Sequence, residues 1–396
     1  MLTKIKSRLK LLQTYPMESL ILIFVFGLAI WLRFSLTDWV SGDYQNFIRP
    51  WLNQIVANGG IASLGMRIGD YTPPYVYLLT LISYFPDASS NEPFLFGVKM
   101  ISLLFDLLLA LAVLLNAKIW LKHQHPLLPV MLAIITLFLP TVIINGAIWG
   151  QIDASYTAFS LFALYYLQKD QPFKSAIWYG IAISFKLQAI FFLPVFIVYF
   201  WFHFPKKIYY VGLLPLLYYG LALPALIAGR SLADITNIYV LQTQTYPLMT
   251  LNMPNLYQWF ANNRYQALSP VAISLFTAIM GFQFFMMLIK KIALKKEQIL
   301  LFTYWSILVA NFFLPAMHER YLYAADIIVI LLVFQHGKKF YLVGLTQLIS
   351  LLAYAPFIFG QTPIPLPQVA VGFAVMLTLV SYWLWQPMFT PERIKE

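Results

Sequence analysis

Apolar residues in this chain come in long runs and not in short periodic patches. Runs long enough, or nearly long enough, to cross a bilayer fall at about 17–37, 95–116, 127–147, 152–168, 173–186, 188–204, 208–228, 266–289, 298–315, 320–335, 340–359 and 368–386. A spanning helix needs about 20 mainly apolar residues. The pattern therefore predicts an all-α, polytopic integral membrane protein of about 12 transmembrane helices. Two stretches break it. Residues 38–94 carry short apolar pieces with polar residues between them, and residues 229–265 are mixed. "PPYVYLLTLISYF" (73–85) is too short for a normal span and is expected to lie on or dip into one leaflet. "NQIVANGGIASLG" (53–65) reads as the start of an amphipathic helix stopped by Gly59-Gly60.

Charge sets the sidedness. Suppose 173–204 is a hairpin with its tip near Lys186 and residues 73–85 do not cross. Most of the 26 basic residues then fall in segments on one side, including Lys4, Lys6, Arg8 and Lys10 at the start and "KKIALKK" (290–296). Lys and Arg collect in cytoplasmic loops, so both termini are expected in the cytoplasm. Residues 38–94 and 229–265 become structured outer loops, the first containing juxtamembrane helices. No small-residue cleavage site follows the first apolar run, which is read as a retained helix. The whole of 1–396 is expected to form one transmembrane domain, without a separate soluble part.

Composition agrees. The chain is 61% hydrophobic and only 10% charged, with a net charge of +11. In a soluble protein that charge would suggest nucleic acid; here it is accounted for by topology, so no nucleic-acid partner is expected. There is no cysteine, which excludes disulfides and thiol chemistry. Five histidines without a spaced cluster give no expectation of a metal.

Few ionisable residues remain near membrane depth, and such residues tend to line cavities or bind something. They fall in five groups: Asp43 with Asp70; Asn145, Gln151 and Asp153 in "NGAIWGQIDASY"; Lys186 and Gln188 in "SFKLQAIFFLP"; the segment "TLNMPNLYQWF" (250–260); and His318, Glu319 and Arg320 in "FLPAMHERYLY". All five are predicted on the outer side, where they could converge on one pocket. Each also fits a plainer role. Asp43 suits a loop carboxylate beside a helix start, Asp70 a turn, Gln151 and Asp153 a helix cap, Lys186 a snorkelling cation, the Asn-Met-Pro-Asn run a turn, and His318-Glu319-Arg320 a solvated cap between helices. Asp106 and Asp326 lie inside predicted helices and are expected to bond neighbouring helices.

Taken in order, Gly42-Asp43-Tyr44, Asp70-Tyr71-x-Pro73-Pro74, Gln151-x-Asp153, Lys186-x-Gln188 and His318-Glu319-Arg320 resemble the GT-C polytopic glycosyltransferases. "SGDYQNF" and "GDYTPPY" are similar to the first outer loop of the glucosyltransferases of asparagine-linked glycan assembly. "WGQIDA", "SFKLQA" and "HERY" look closest to bacterial relatives of the enzyme that adds the second mannose in GPI-anchor assembly. The resemblance implies transfer of a hexose of the mannose or glucose type from a polyprenyl-phosphate sugar to a glycan or lipid-linked acceptor. Transfer would occur at the extracytoplasmic face, invert the anomeric centre, and need no metal or cofactor. It implies Asp43 as general base. Asp70 would support the acceptor site or order the loop. His318 and Arg320, with Lys186 as a further candidate, would hold the donor phosphate. Gln151 and Asp153 would line the sugar pocket, with Gln188 and Glu319 also binding substrate. The glucosyltransferases carry Asn where this chain has Asp153, which leaves the sugar open. The lack of an endoplasmic-reticulum retrieval signal and the compact length point to a bacterial plasma membrane. Three alternatives stand beside this reading: a polytopic transporter or flippase of lipid-linked or small polar substrates, a GT-C ligase that transfers a whole lipid-linked glycan and would have a similar site, and a non-catalytic membrane assembly partner.

Overall fold

The structure, a computed structural model, describes residues 13–121 and 124–389. The basic run at 4–10, Lys122 and the tail "TPERIKE" lie outside the described residues. What is described is almost entirely helical. Among the described residues six helices are long and apolar enough to cross a membrane: α1 (Pro16–Ser35), α4 (Leu95–Leu121), Pro205–Ile227, Asn262–Ile289, α15 (Tyr341–Phe359) and α16 (Leu366–Phe389). A seventh is added if α5 (Leu128–Phe138) and α6 (Pro140–Ile148), bent by 55° at Leu139, are one span. Pro140 explains the break, because it lacks the N–H that would continue the ladder. The regular part of Pro205–Ile227 is α10 (Leu213–Ile227), and that of Asn262–Ile289 is α12 (Tyr265–Ile289).

The other predicted runs are also helices, but short ones: α7 (Asp153–Gln168), α8 (Pro172–Phe185), α9 (Leu193–His203), α13 (Ile299–Phe313) and α14 (Tyr323–His336). At about 1.5 Å per residue, 14 residues reach only about 21 Å. Their shortness has a local cause, since one end of each stops at or near a polar motif. Asp153 opens α7, Lys186 ends α8, and the His318–Arg320 turn separates α13 from α14. At Lys186 the backbone becomes extended, and the chain doubles back so that Tyr179 and Phe196 stack with ring centroids 4.0 Å apart. The expected hairpin is thus present.

Burial separates core from periphery. The helices α13 and α14 are buried on nearly every side, whereas Leu20, Phe24 and Trp31 of α1, Ile227 of α10 and Phe282 and Phe285 of α12 are exposed. Exposed apolar surface on this scale fits a lipid bilayer. In the interior, Arg33 donates to Asp106 at 2.9 Å and to the Leu137 carbonyl at 2.8 Å, tying α1 to α4 and α5. Asp326 accepts from Ser350 at 3.0 Å. Both aspartates therefore join helices, as expected. The ends remote from the polar motifs carry Lys169, Lys174, Lys206, Lys207, Lys290, Lys291, Lys295, Lys296, Lys338 and Lys339. Those loops meet: Lys296 pairs with Asp170, and Gln335 donates to the Glu297 carbonyl.

In the first loop α2 (Arg49–Ala57) ends at Gly59 and Gly60, with φ of +79° and +64°, and α3 (Pro73–Ile82) follows. The Gly59-Gly60 break and the short helix match the sequence reading. A Cβ on Gly60 would sit 2.1 Å from the Tyr84 hydroxyl, which accepts from the Ile61 amide. Gly60→Ala is expected to cost about 1–3 kcal/mol through overpacking and left-handed strain. Faster limited proteolysis within 57–65 would report it. The second loop departs from expectation by containing α11 (Leu232–Thr245). Ser231 caps it, accepting from the Asp234 amide at 3.1 Å. Ser followed by Asp in the first turn is a helix-start signal.

Candidate functional site

Two π-helical turns begin the site, Tyr44–Ile48 and Ile143–Ile148. Such turns are rare in helices and recur at functional sites. Ser41 joins them: its hydroxyl donates to the Trp149 carbonyl at 2.7 Å and accepts from the Tyr44 amide at 3.1 Å. Asp43 is thereby set beside the segment that carries Gln151 and Asp153.

From Asp43 a continuous polar network runs inward. The Gln151 side-chain amide donates to the Asp43 carboxylate. The Gln151 carbonyl oxygen accepts from the Tyr71 hydroxyl at 2.9 Å and from Lys186 at 3.3 Å. Lys186 donates to Asp153 at 2.6 Å and lies 5.4 Å from the Tyr71 ring centroid. Asp153 also accepts from Asn145 at 2.7 Å and has the Arg320 Nε at 3.7 Å. Arg320 donates to Glu319 at 2.8 Å, and His318 Nδ1 is 3.7 Å from the other Glu319 oxygen. The Arg320 guanidinium also lies 5.9 Å from the Trp149 ring centroid.

A small strand pair fixes the His-Glu-Arg turn. Residues Thr250–Leu251 (β1) and Met317–His318 (β2) pair in parallel, Thr250 with Met317 and Leu251 with His318. The Ala316 amide donates to the Met249 carbonyl at 3.0 Å. Asn255 takes the turn role expected for its segment, its side chain accepting from the Tyr257 amide at 3.1 Å. Next to it Asn252, at φ +61°, faces the cavity.

Electrostatics follow from burial and these partners. Burial alone would raise the Glu319 carboxyl, but neighbouring His318 and Arg320 outweigh it and hold its pKa low. Burial opposes charge on Arg320, and the carboxylates of Glu319, Asp43 and Asp153 more than reverse this. Burial lowers the Lys186 pKa against the pull of Asp153, and it raises that of Tyr71, which stays a hydrogen-bond donor.

These side chains surround a cavity of about 330 Å³. Of the residues singled out in the sequence, Asp43, Asp70, Gln151, Lys186, Gln188, His318, Glu319 and Arg320 all line it. Asp153 does not. It is fully buried behind Lys186, where two cations compensate its charge, so the expectation that it lines the pocket is corrected to a supporting counter-ion. Asp70 sits at the rim, half-exposed, paired with Arg67 at 3.3 Å. Its backbone carbonyl accepts from Gln242 of α11. Sequence reasoning missed Trp51, Gln242 and Tyr246 on the cavity wall, and it noted Tyr71 in the motif beside Asp70 without giving it a role. Gln242 and Tyr246 depended on a helix not expected there.

The arrangement offers an acceptor carboxylate on one wall and a charged, forked donor on another. Asp43 makes no ion pair among the described residues, and its side chain accepts from the neutral Gln151 amide. The other two carboxylates lining the cavity, Asp70 and Glu319, each face a cationic or titratable partner, Arg67 for the first and His318 and Arg320 for the second. Arg320 is held by Glu319 through one nitrogen. No protein-family model matches this chain, and no curated protein matches it either.

Proposed function

We propose that this chain is a membrane glycosyltransferase of the GT-C type, moving one hexose from a polyprenyl-phosphate sugar to an acceptor glycan. The observation that carries this reading is that Asp43 and Arg320, remote in sequence, line one cavity. In this reading the five shorter apolar helices complete a bundle of about twelve membrane segments. The lysine-rich ends face the cytoplasm of a bacterial plasma membrane, in keeping with the positive-inside bias, and the cavity opens on the extracytoplasmic side.

The reaction balances without a cofactor. The acceptor hydroxyl oxygen attacks the anomeric carbon from the face opposite the phosphate and forms the new glycosidic bond. Asp43 takes the hydroxyl proton. The bond from the anomeric carbon to the phosphate oxygen breaks, and the electron pair leaves with the polyprenyl phosphate. That group departs without needing a proton, so the site must stabilise growing negative charge. Arg320 supplies a planar fork suited to phosphate, and His318 a further hydrogen bond. Lys186, engaged by Asp153 and Gln151, orders the wall and adds positive field. General-base help is worth about 10²–10⁴-fold, and positioning and electrostatics supply the rest.

Cavity size favours a single-sugar transferase over a ligase of whole glycans. At about 330 Å³ it lies at the low end of the roughly 300–1,000 Å³ of ligand pockets. A sugar with its phosphate fits such a space, and a preassembled oligosaccharide would extend outside it.

Arg320→Ala tests the donor assignment. It is expected to lower kcat/KM about 10²–10³-fold, the effect of losing one preorganised electrostatic stabiliser. The loss should appear when donor is varied and be much smaller in the KM for acceptor. Equal loss on both sides would make Arg320 a structural residue and remove the donor site proposed for it.

A further inference from the structure

We infer that Lys99 is a positioning residue for this site: its ammonium closes the end of the turn that presents Gln151 to Asp43. The inference rests on the transferase reading for its catalytic consequence, and on the geometry alone for its structural one. Lys99 lies in the first turns of α4, 3% exposed, and makes no ion pair with a carboxylate among the described residues. A lone buried ammonium is costly. The plainer role of a long lysine near a helix end is to reach for the headgroups. Here the side chain turns inward instead, and Nζ donates to the carbonyls of Ala147 at 2.7 Å and Ile148 at 2.6 Å.

Those carbonyls end the π-helical turn, and following its bonds shows why a donor is needed. The carbonyl of Ile144 accepts from the Trp149 amide, that of Asn145 from Gln151, and that of Gly146 from Gly150. The Trp149 carbonyl accepts from Ser41. Among the described residues no backbone amide bonds the Ala147 or Ile148 carbonyl, because the chain leaves the helix at Gly150, where φ is +73°. Terminal carbonyls carry the negative end of the helix dipole, which suits a positive donor. A Cβ on Gly150 would lie 3.2 Å from Val98 and 4.0 Å from the Lys99 stem, so the turn rests directly on α4. Lys99 and Ser41 therefore hold adjacent carbonyls of one turn, and that turn delivers Gln151 to Asp43 and Asp153 to Lys186. Without the ammonium, two carbonyls are left unpaired in apolar surroundings. The turn rewinds to satisfy them, and the Gln151 amide moves off Asp43.

The test compares full-length Lys99→Met, which keeps the stem, with Lys99→Arg, which keeps a charged donor, using purified protein. In Lys99→Met, hydrogen exchange should accelerate at least about tenfold at the amides of Trp149, Gly150 and Gln151, while amides of α13 and α14 keep their protection. Lys99→Arg should retain most of the protection. In transfer, Lys99→Met should lower kcat about tenfold or more with little change in donor KM, as for a displaced catalytic geometry. Unchanged exchange, acceleration spread evenly through the bundle, or local acceleration with unaltered kcat would each overturn the assignment. If the wild-type chain transfers no sugar, the transferase reading falls, and the exchange pattern alone decides whether Lys99 holds the turn.

Discussion

Asp43→Asn is expected to fold and insert normally while sugar transfer drops about 10²–10⁴-fold, the range that general-base assistance supplies. The substitution preserves size and shape. Gln151 donates to this side chain, and the Asn oxygen can still accept. No ion pair to Asp43 exists among the described residues, so no cation is orphaned. Arg320 keeps its closer carboxylates, Glu319 at 2.8 Å and Asp153 at 3.7 Å. What disappears is the capacity to accept a proton. The check is transfer from a lipid-linked donor in membranes, read beside thermal unfolding of the same preparation. Normal transfer by a folded variant would remove Asp43 from the mechanism.

Lys186→Met should act mainly on stability, costing about 3–5 kcal/mol, because it breaks a buried pair and leaves the partner charged. Lys186 and Asp153 are 2.6 Å apart, with side chains 6% and 1% exposed. Asp153 would keep Asn145 and a more distant Arg320, and the Gln151 carbonyl oxygen would lose a donor. The double variant Lys186→Met with Asp153→Leu removes the orphaned charge. It should recover much of the loss, since replacing a whole buried pair by apolar side chains is often nearly neutral. Unfolding midpoints of the two single and the double variants measure this coupling. A Lys186→Met protein as stable as wild type, or a double variant worse than either single one, would contradict the pairing as the source of order at this wall. Transfer by the double variant should remain impaired, because Gln151 still lacks its Lys186 partner.

The sequence made the helices and the site's membership legible for separate reasons. Apolar runs report burial or lipid contact directly, so every predicted span became a helix. They do not report length against the bilayer, and α8 and α14 stop short because polar motifs end them. Charged and amide side chains in an apolar chain are conspicuous, which is why Asp43, Gln151, Lys186 and Arg320 could be named before their meeting was visible. The direction of a side chain is not written in its neighbours. Asp153 has the same local setting as a pocket residue, yet lies behind Lys186 as its counter-ion. Lys99 sits in an uninterrupted apolar run and resembles an incidental cation until its two carbonyl partners are seen. The helix α11 was readable from Ser231 and Asp234, but Pro-poor polar sequence between two spans passes easily for loop.

The most direct measurement is transfer by the purified wild-type chain from a panel of polyprenyl-phosphate sugars, with the product linkage read by nuclear magnetic resonance. One donor of the mannose or glucose type should yield a single added sugar whose anomeric configuration is opposite to that of the donor. Retention of configuration, or no product from any donor in a folded preparation, would contradict the account.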